Sequence, residues 1–249
     1  MKKKLVFLIL VMSMVAASVF ALGAGSCNDT PSVNYNFFYI ENNVITGLTE
    51  LGLEQSTIVI PAFVTNIGTG AFRNATNLTS ITIPASVTSI GRWAFMSATR
   101  LTIVTFEGGS QLTSIGNSAF NHAINLTGIT IPASVTSIGD NVFSWARGLT
   151  TVIFEEGSQL TSIGHSAFVG ATSLTSITLP ASVTIIGSRA FRRTISLTSI
   201  TIPASVTTIG SWAFSDWTSM QTIYIEGRIE AYSGWHYGWL AGSNVVWLG

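Results

Sequence analysis

One phrase of 14 residues recurs along the chain and constrains its fold more than any other feature. It reads LTSITIPASVTSIG at Leu78–Gly91, and near-copies begin at Leu126, Leu174 and Leu197. With the Ala-Phe pair and the five variable residues that follow, the phrase forms a unit of 23 residues. A tandem repeat of this period is typical of a solenoid, in which each coil contacts only its neighbours.

The repeat predicts seven consecutive coils within residues 55–219. Their bounds are 55–77, 78–100, 101–125, 126–148, 149–173, 174–196 and 197–219. The third and fifth units are longer than the others, because Pro-Ala-Ser is replaced by Glu107-Gly-Gly-Ser-Gln and by Glu155-Glu-Gly-Ser-Gln. We expect a surface turn to accommodate the extra length.

Each unit predicts a half-buried strand followed by a turn-rich return. In the second unit, Leu78, Ile81 and Ile83 are apolar positions between polar ones, and Pro84 ends the strand because it cannot donate to a ladder. Val87 and Ile90 form a second, short apolar pair, and a glycine recurs directly after it. At this glycine we expect a positive φ or close approach of the neighbouring coil. These glycines are Gly68, Gly91, Gly116, Gly139, Gly164, Gly187 and Gly210.

A phenylalanine also recurs once per unit, and it predicts a stacked column inside the solenoid. The seven residues are Phe72, Phe95, Phe120, Phe143, Phe168, Phe191 and Phe214. The five residues after each phenylalanine vary most between units. We therefore expect them on the outside.

The combined pattern LxxIxIPxxVTxIGxxAF resembles the BspA-type leucine-rich repeat of bacterial surface proteins. The resemblance covers residues 55–219; Val142 replaces the alanine, and the third and fifth units lack the proline. It implies a right-handed leucine-rich-repeat solenoid of seven to eight units, mainly β with short turns and 3-10 segments, closed by terminal caps. It also implies secretion, display on the cell surface, and adhesion to host extracellular matrix or to other cells.

The N-terminal segment, residues 1–26, predicts an export signal. Lys2–Lys4 precede the apolar run Leu5–Phe20, and small residues follow. Cleavage after residue 21 or after residue 26 fits, the second because Ala24–Cys27 resembles a bacterial lipobox. Cys27 is the single cysteine, which excludes an intramolecular disulfide and makes it a candidate for lipid attachment. The alternative is a free thiol in a flexible leader. We expect a location on the bacterial surface or outer envelope, or a secreted protein.

The segments that flank the repeats predict caps, because the end coils would otherwise expose the apolar column. Residues 27–54 hold a leader and a hairpin within Asn34–Gly47 that turns at Asn42-Asn43. Residues 220–249 begin as an eighth strand and continue with aromatic residues that include Trp235, Trp239 and Trp247. The alternative for these aromatics is a platform that binds sugars.

The outward side chains of the predicted strands define one candidate binding surface, which we expect to be concave. Eight strands would form a sheet roughly 34 Å across. The surface is uncharged and rich in hydroxyl groups, so it suits an extended polypeptide or a glycan. The alternative is a solvated β-surface in which threonine serves as a strand former. Its residues are Ser80, Thr82, Thr105, Thr130, Thr151, Ser176, Thr178, Ser199 and Thr201.

The variable segments hold a second candidate surface, because tryptophan and arginine are enriched at binding hot spots. We expect Arg192 and Arg193 to form a mixed patch with Trp212, one coil further on. The alternative is that the rings pack over neighbouring coils and the arginines serve solubility. The candidate residues are Arg92, Trp93, Trp145, Arg189, Arg192, Arg193, Trp212 and Trp217.

Nothing in the sequence points to catalysis, a cofactor or a metal site. The three histidines have no carboxylate at a spacing that would orient them, and HExxH, GxxxxGK[ST], CxxC and GxSxG are absent. Once the export signal is removed, eight arginines face eleven acidic residues, and this net charge of −3 argues against nucleic acid. Contact with a membrane is expected only through a lipid on Cys27.

The leading interpretation is therefore a non-enzymatic adhesin or surface antigen that binds proteins or glycans of host matrix or neighbouring cells. The alternatives are an envelope spacer without a specific ligand and a periplasmic module that binds glycans or peptides.

Overall fold

The repeats fold into a β-solenoid of about nine turns with almost no helix, which confirms the predicted fold class. The computed structural model describes residues 33–227, 230–231, 233–236, 238–240 and 242–249, and side chains from residue 36 onward. The export signal and Cys27 lie outside the described residues. Cleavage and lipid attachment therefore stay predictions.

The leucine-isoleucine phrase of each coil forms the longer of two strands. These longer strands are β4 (Thr57–Val59), β6 (Ser80–Ile83), β8 (Ile103–Phe106), β10 (Gly128–Ile131), β12 (Thr151–Phe154), β14 (Ser176–Ile177), β16 (Ser199–Ile202) and β18 (Thr222–Glu226). Equivalent residues pair in parallel, as Ile129 does with Val152. Both side chains are buried. The alternation of apolar and polar residues therefore separates an inner from an outer face.

The expectation that these strands form one sheet of eight is wrong. They form three sheets, β4-β6-β8, β10-β12-β14, and β16-β18 with the last strand, β19 (Asn244–Leu248). Pairing weakens after each coil with the inserted turn: β8 has no ladder with β10, and β12 pairs with β14 at only two positions. β14 and β16 do not pair either, although the coil that holds β14 has no inserted turn.

A second, very short strand in each coil forms the continuous sheet of the solenoid. These short strands are β5 (Asn66–Ile67), β7 (Ser89–Ile90), β9 (Ser114–Ile115), β11 (Ser137–Ile138), β13 (Ser162–Ile163), β15 (Ile185–Ile186) and β17 (Thr208–Ile209). They continue the N-terminal strands into one ten-stranded sheet. The sequence predicts an apolar pair here but no strand, because a segment of two residues cannot show the alternation of apolar and polar residues.

A third set of backbone hydrogen bonds joins the coils around each phenylalanine. We call the five residues centred on the phenylalanine the Phe segment, which in the fourth coil is Asn141–Trp145. Asn141, Phe143 and Trp145 donate their N–H groups to carbonyls of the fifth coil at 2.8, 2.8 and 2.7 Å. The short strands and the Phe segments thus join every coil to the next, whereas the line of longer strands is interrupted between its three sheets.

The phenylalanines form the predicted column along the interior. All seven are fully buried, and successive rings stack with centroids 4.9 to 5.5 Å apart. The third residue after each phenylalanine is buried too: Ala75, Ala98, Ala123, Ala146, Ala171, Thr194 and Trp217. The expectation that all five residues after the phenylalanine face outward is therefore wrong at this position. The alanine that five of the coils share here was the sequence feature that indicated burial.

The recurrent glycines are explained by close approach of neighbouring coils. A Cβ built on Gly187 would lie 2.6 Å from the carbonyl carbon of Gly164, and one on Gly91 would lie 2.7 Å from that of Gly68. None of the seven has a positive φ. Of the two expected reasons for glycine, a positive φ therefore does not apply. Close approach of the neighbouring coil does apply, because these positions lack room for a side chain.

Many of the hydroxyl groups hold the coils together. The hydroxyl of Thr102 donates to the carbonyl of Thr79 at 2.9 Å, and that of Thr150 to Thr127 at 2.7 Å. A second ladder runs beside the short strands, from Thr136 to the carbonyl of Thr113 at 3.2 Å. These threonines therefore have a structural role. Composition alone does not distinguish them from the threonines that face solvent.

The front of the solenoid is covered by a β-meander. Strands β1 (Val33–Tyr35), β2 (Phe38–Glu41) and β3 (Val44–Leu48) are antiparallel, and β3 pairs in parallel with β5. The β2–β3 turn places Asn42 and Asn43 at φ 49° and 63°, as a type I′ hairpin requires. A single helical turn, α1 (Glu50–Leu53), follows its N-cap Thr49. Phe38 contacts the first ring of the column edge-on at 6.3 Å.

Tryptophans cover the rear of the column. Trp239 lies edge-on to Phe214 with centroids 6.0 Å apart, and Trp235 lies 5.1 Å from Trp239. Both rings are buried. These two residues therefore pack as a cap and are not available as an exposed platform for sugars.

Candidate binding surfaces

The outer face of the longer strands presents small polar side chains, as their register requires. Thr105, Thr130 and Thr178 are exposed, whereas Ser80 and Thr82 are half-buried. A cavity of about 410 Å³ opens where β12 and β14 stop pairing, lined by Ile153, Phe154, Thr178 and Leu179 among others. The face thus offers hydroxyl groups and a cavity of mixed polarity, whose lining includes Glu155.

Most of the candidate arginines and tryptophans occupy backbone positions with a positive φ. In every coil the first and the fifth residue of the Phe segment have positive φ values, between 54° and 68°. Five of the eight candidates stand there: Trp93, Trp145, Arg189, Arg193 and Trp212. Glycine is the residue that adopts this conformation without cost, but only two of these positions hold a glycine, Gly70 and Gly170. No sequence signal therefore marked these positions.

The burial of the neighbouring residues shows the direction of these side chains. The second and third residues of the Phe segment are buried, whereas the positive-φ residues on either side are half-buried or exposed, except at Ser166 and Gly170. Both flanks are held by hydrogen bonds to the next coil, as Trp145 shows with its N–H to Val169. The outward side chains therefore project from a fixed backbone.

Each tryptophan at a positive-φ position is contacted by at least one arginine. The guanidinium of Arg92 lies 3.8 Å from the ring centroid of Trp93, and that of Arg73 lies 5.8 Å from it. Arg189 lies 4.9 Å from the ring of Trp212 in the next coil. Such cation–π contacts contribute about 0.5–1 kcal/mol each at exposed sites.

Trp145 forms the central and longest of these groups. Its ring lies across Gly170 of the following coil, where an added Cβ would come within 2.7 Å of the indole. The ring thereby reaches Arg193, two coils away, at 5.7 Å, while Arg147 lies at 5.3 Å. His122 lies on the other side, with centroids 6.4 Å apart. We call the three tryptophans and their five arginines the arginine–tryptophan face.

The expected patch of Arg192 and Arg193 with Trp212 does not form. Arg192 instead makes an ion pair with Asp216, with Nε and Oδ2 3.1 Å apart. Arg193 points to Trp145, and Arg189 contacts Trp212 in their place. The two side chains are 41% and 46% exposed, so solvent screens the ion pair and it contributes little to stability.

Trp217 is not a surface residue, contrary to the sequence prediction. Its ring is 2% exposed and lies edge-on to Phe214 at 5.2 Å. Its indole N–H donates to the carbonyl of Phe191 and to the hydroxyl of Thr194, both at 3.0 Å. It occupies the position where five other coils have a buried alanine, so it belongs to the core.

Charge is segregated over the described part of the chain. All seven described arginines lie within five residues of a column phenylalanine, and only Asp140 and Asp216 share those segments. The other acidic residues stand in the front meander and helix, in the inserted turns, and near the rear: Glu41, Glu50, Glu54, Glu107, Glu155, Glu156, Glu226 and Glu230. Without the predicted export signal the chain has a negative net charge, yet it has a basic face, which the total charge does not reveal.

Two further features bear on function. In the described ranges, no group of three or more His, Cys, Asp or Glu side chains is placed to hold a metal ion. No helix within the described part of the chain is long and apolar enough to cross a membrane.

Parallel coils with a leucine-isoleucine strand and a buried phenylalanine column define a repeat protein of the leucine-rich class. The chain belongs to the BspA type leucine-rich repeat family, whose repeat region matches in six copies over residues 52–160 and 148–236. This family comprises bacterial surface proteins. Its repeat fold typically serves binding rather than catalysis. No curated protein matches the chain.

Solved structures with the same fold include a leucine rich cell surface protein of Faecalibacterium prausnitzii A2-165. It is 37% identical, with a TM-score of 0.68, and the match covers 79% of this chain and 55% of that one. The pneumococcal vaccine antigen PcpA is 24% identical, with a TM-score of 0.56 and coverages of 82% and 65%. TpLRR of T. pallidum is 24% identical, with a TM-score of 0.52 and coverages of 87% and 86%. PcpA and TpLRR support the fold alone.

Proposed function

We propose that the protein is exported, is attached to the cell surface, and binds proteins or glycans of host matrix or of neighbouring cells through its arginine–tryptophan face. One observation carries this proposal: Trp93, Trp145 and Trp212 project from positive-φ positions, and arginines contact all three. Large aromatic and arginine side chains carry most of the energy of typical interfaces.

The geometry lowers the cost of binding. A side chain that is already oriented loses less conformational freedom when a partner arrives, and this preorganisation raises affinity. Here the backbone is fixed by hydrogen bonds to the next coil and the rings are held by arginines. A solvated structural surface would not need its bulkiest residues at a backbone conformation that disfavours them.

Family membership supports the cellular part of the proposal. The Faecalibacterium prausnitzii relative is described as a cell surface protein. The predicted export signal would bring this chain out of the cytoplasm, and a lipid on Cys27 would retain it at the envelope. This chain spans only 55% of that relative, so its partners are proposed from its own surface.

We expect the Trp93→Ala, Trp145→Ala and Trp212→Ala triple variant to lose at least about tenfold in affinity for matrix-coated plates or for whole cells. The rings are half-buried or exposed, so the variant should keep its β-rich circular dichroism spectrum. Affinity is measured by titration of the purified protein.

The matched control enlarges three side chains on the outer face of the longer strands, with Thr82→Gln, Thr130→Gln and Thr178→Gln. This control should bind as the native protein does. Loss of binding by the control, with full binding by the tryptophan variant, would move the site to the longer strands. Absence of saturable binding by the native protein would favour the spacer interpretation.

A further inference from the structure

We propose that the arginine–tryptophan face takes a linear anionic polysaccharide, one that carries sulfate or carboxylate groups along its length. The inference rests on the proposed function, because it assigns a ligand class to the same surface. Three features of the face support it: free positive charge, exposed hydrogen-bond donors, and a strip-like extent.

The positive charge of the face is not neutralised from within. Arg192 pairs with Asp216, and the carboxylate of Asp140 accepts the N–H of His165 at 2.7 Å. These two are the acidic residues that lie within five residues of a described column phenylalanine. In the described part of the chain, the five arginines that contact tryptophan rings have no carboxylate within ion-pair distance.

The contacts with the rings leave the arginines able to bind anions. Four of the five arginines have exposed side chains, whereas Arg189 is half-buried and its buried Nε lacks a hydrogen-bond partner. A guanidinium stacked on an aromatic ring uses its flat face and keeps its N–H groups in the plane. Those donors match the paired oxygens of a carboxylate or sulfate group, and such charge-assisted bonds are strong. Arg92, 3.8 Å from the centre of Trp93, has the closest contact of this kind.

The positive groups extend along the solenoid rather than around a point. They begin with Arg73 in the first coil, continue through the group at Trp145, and end with Arg189 and Arg193 in the sixth coil. Five steps between coils, at the usual spacing of parallel strands, give roughly 24 Å. A single small anion would occupy one group, whereas a polymer with charge at regular intervals contacts all three.

The tryptophans favour a polysaccharide over an acidic polypeptide. Aromatic rings provide large, flat apolar surfaces with little conformational entropy to lose, and the C–H faces of pyranose rings pack against such surfaces. Trp145 is flanked by Arg147 and Arg193. A sugar ring at Trp145 would therefore place its anionic substituents beside two guanidinium groups.

The test is a titration of the purified full-length chain against four immobilised polymers over a range of salt concentrations. Heparin carries sulfate and carboxylate, hyaluronan carries carboxylate only, polyglutamate is an acidic polypeptide, and dextran is neutral. We expect saturable binding to heparin or hyaluronan. The logarithm of the binding constant should fall linearly with the logarithm of salt concentration, because counterions are released on binding. Dextran should not bind. Preference for heparin would assign sulfate, and equal binding would assign carboxylate.

Two neighbouring arginines give a matched pair of variants. Arg193→Gln removes a guanidinium from the Trp145 group, and Arg192→Gln removes one that is already paired with Asp216. Both change the net charge equally. We expect about tenfold weaker binding for Arg193→Gln, the effect of losing one charged hydrogen bond, and a smaller change for Arg192→Gln.

A third variant keeps every charge and changes only the geometry. Asparagine at position 170 suits the positive φ, as Asn74 shows at the equivalent position, but its Cβ would meet the indole of Trp145. Gly170→Asn should therefore displace the ring from Arg193 and weaken polysaccharide binding. A circular dichroism spectrum like that of the native protein would show that the fold is intact.

Three results would overturn the inference. They are absence of binding to both anionic polysaccharides, stronger binding to polyglutamate, or equal losses for Arg192→Gln and Arg193→Gln. If the tryptophan triple variant still loses binding to cells or matrix in those cases, the proposed function stands and only the ligand class falls.

Discussion

Phe143→Ala should lower the free energy of unfolding by about 3–5 kcal/mol, the cost of removing a buried phenylalanine from a packed core. The ring is fully buried between Phe120 and Phe168, at 5.5 and 5.4 Å. The rigid backbone of the Phe segment, hydrogen-bonded to the next coil, leaves little room for collapse. Equilibrium unfolding in urea measures the loss.

Ile195→Ala is the control for this prediction, since it also truncates a large apolar residue in the repeat array. Ile195 is 60% exposed, so its loss should change stability by no more than about 0.5 kcal/mol. Comparable small effects for both variants would mean that the column does not hold the coils together.

Gly187→Ala should destabilise the protein by about 1–3 kcal/mol or more, although it adds a single methyl group. The new Cβ would lie 2.6 and 2.7 Å from the carbonyl carbon and oxygen of Gly164. Because these are backbone atoms, no side chain can turn away. The fifth and sixth coils would have to separate, which would stretch the bond from the Gly187 N–H to the carbonyl of Ile163, now 2.8 Å. Thermal unfolding followed by circular dichroism measures the shift.

Gly108→Ala provides the comparison, because a Cβ there would meet no heavy atom within 4 Å and its φ is not positive. This variant should be neutral within about 0.5 kcal/mol. If Gly187→Ala were equally well tolerated, the recurrent glycines would need an explanation other than the close approach of coils.

The sequence predicts the solenoid and its column because both follow from fixed spacing. A leucine, two isoleucines and a phenylalanine at constant positions mean that each coil repeats the environment of the one before. Phe143 could therefore be placed in the core from the alignment of units alone. The same alignment predicts the recurrent glycines, with close approach of neighbouring coils as one of the two expected reasons.

The geometry of the candidate site depends on features that the repeat does not display. Trp145 reaches Arg193 only because the coil between them has Gly170 at the crossing point. Trp217 is buried at the position that alanine fills in five other coils, a site that sequence variability alone marked as external. Pairings such as Arg192 with Asp216 depend on side-chain direction across coils, which spacing within one unit does not determine.

The proposed function requires that the repeats lie outside the cell, where the arginine–tryptophan face can meet its ligand. Treatment of intact cells with a protease that does not cross membranes, followed by detection of this protein with an antibody, tests that placement most directly. A cytoplasmic protein probed in parallel controls for leakage. We predict loss of the protein from intact cells. Protection on intact cells, with cleavage after lysis, would contradict surface exposure and favour an internal role in the envelope.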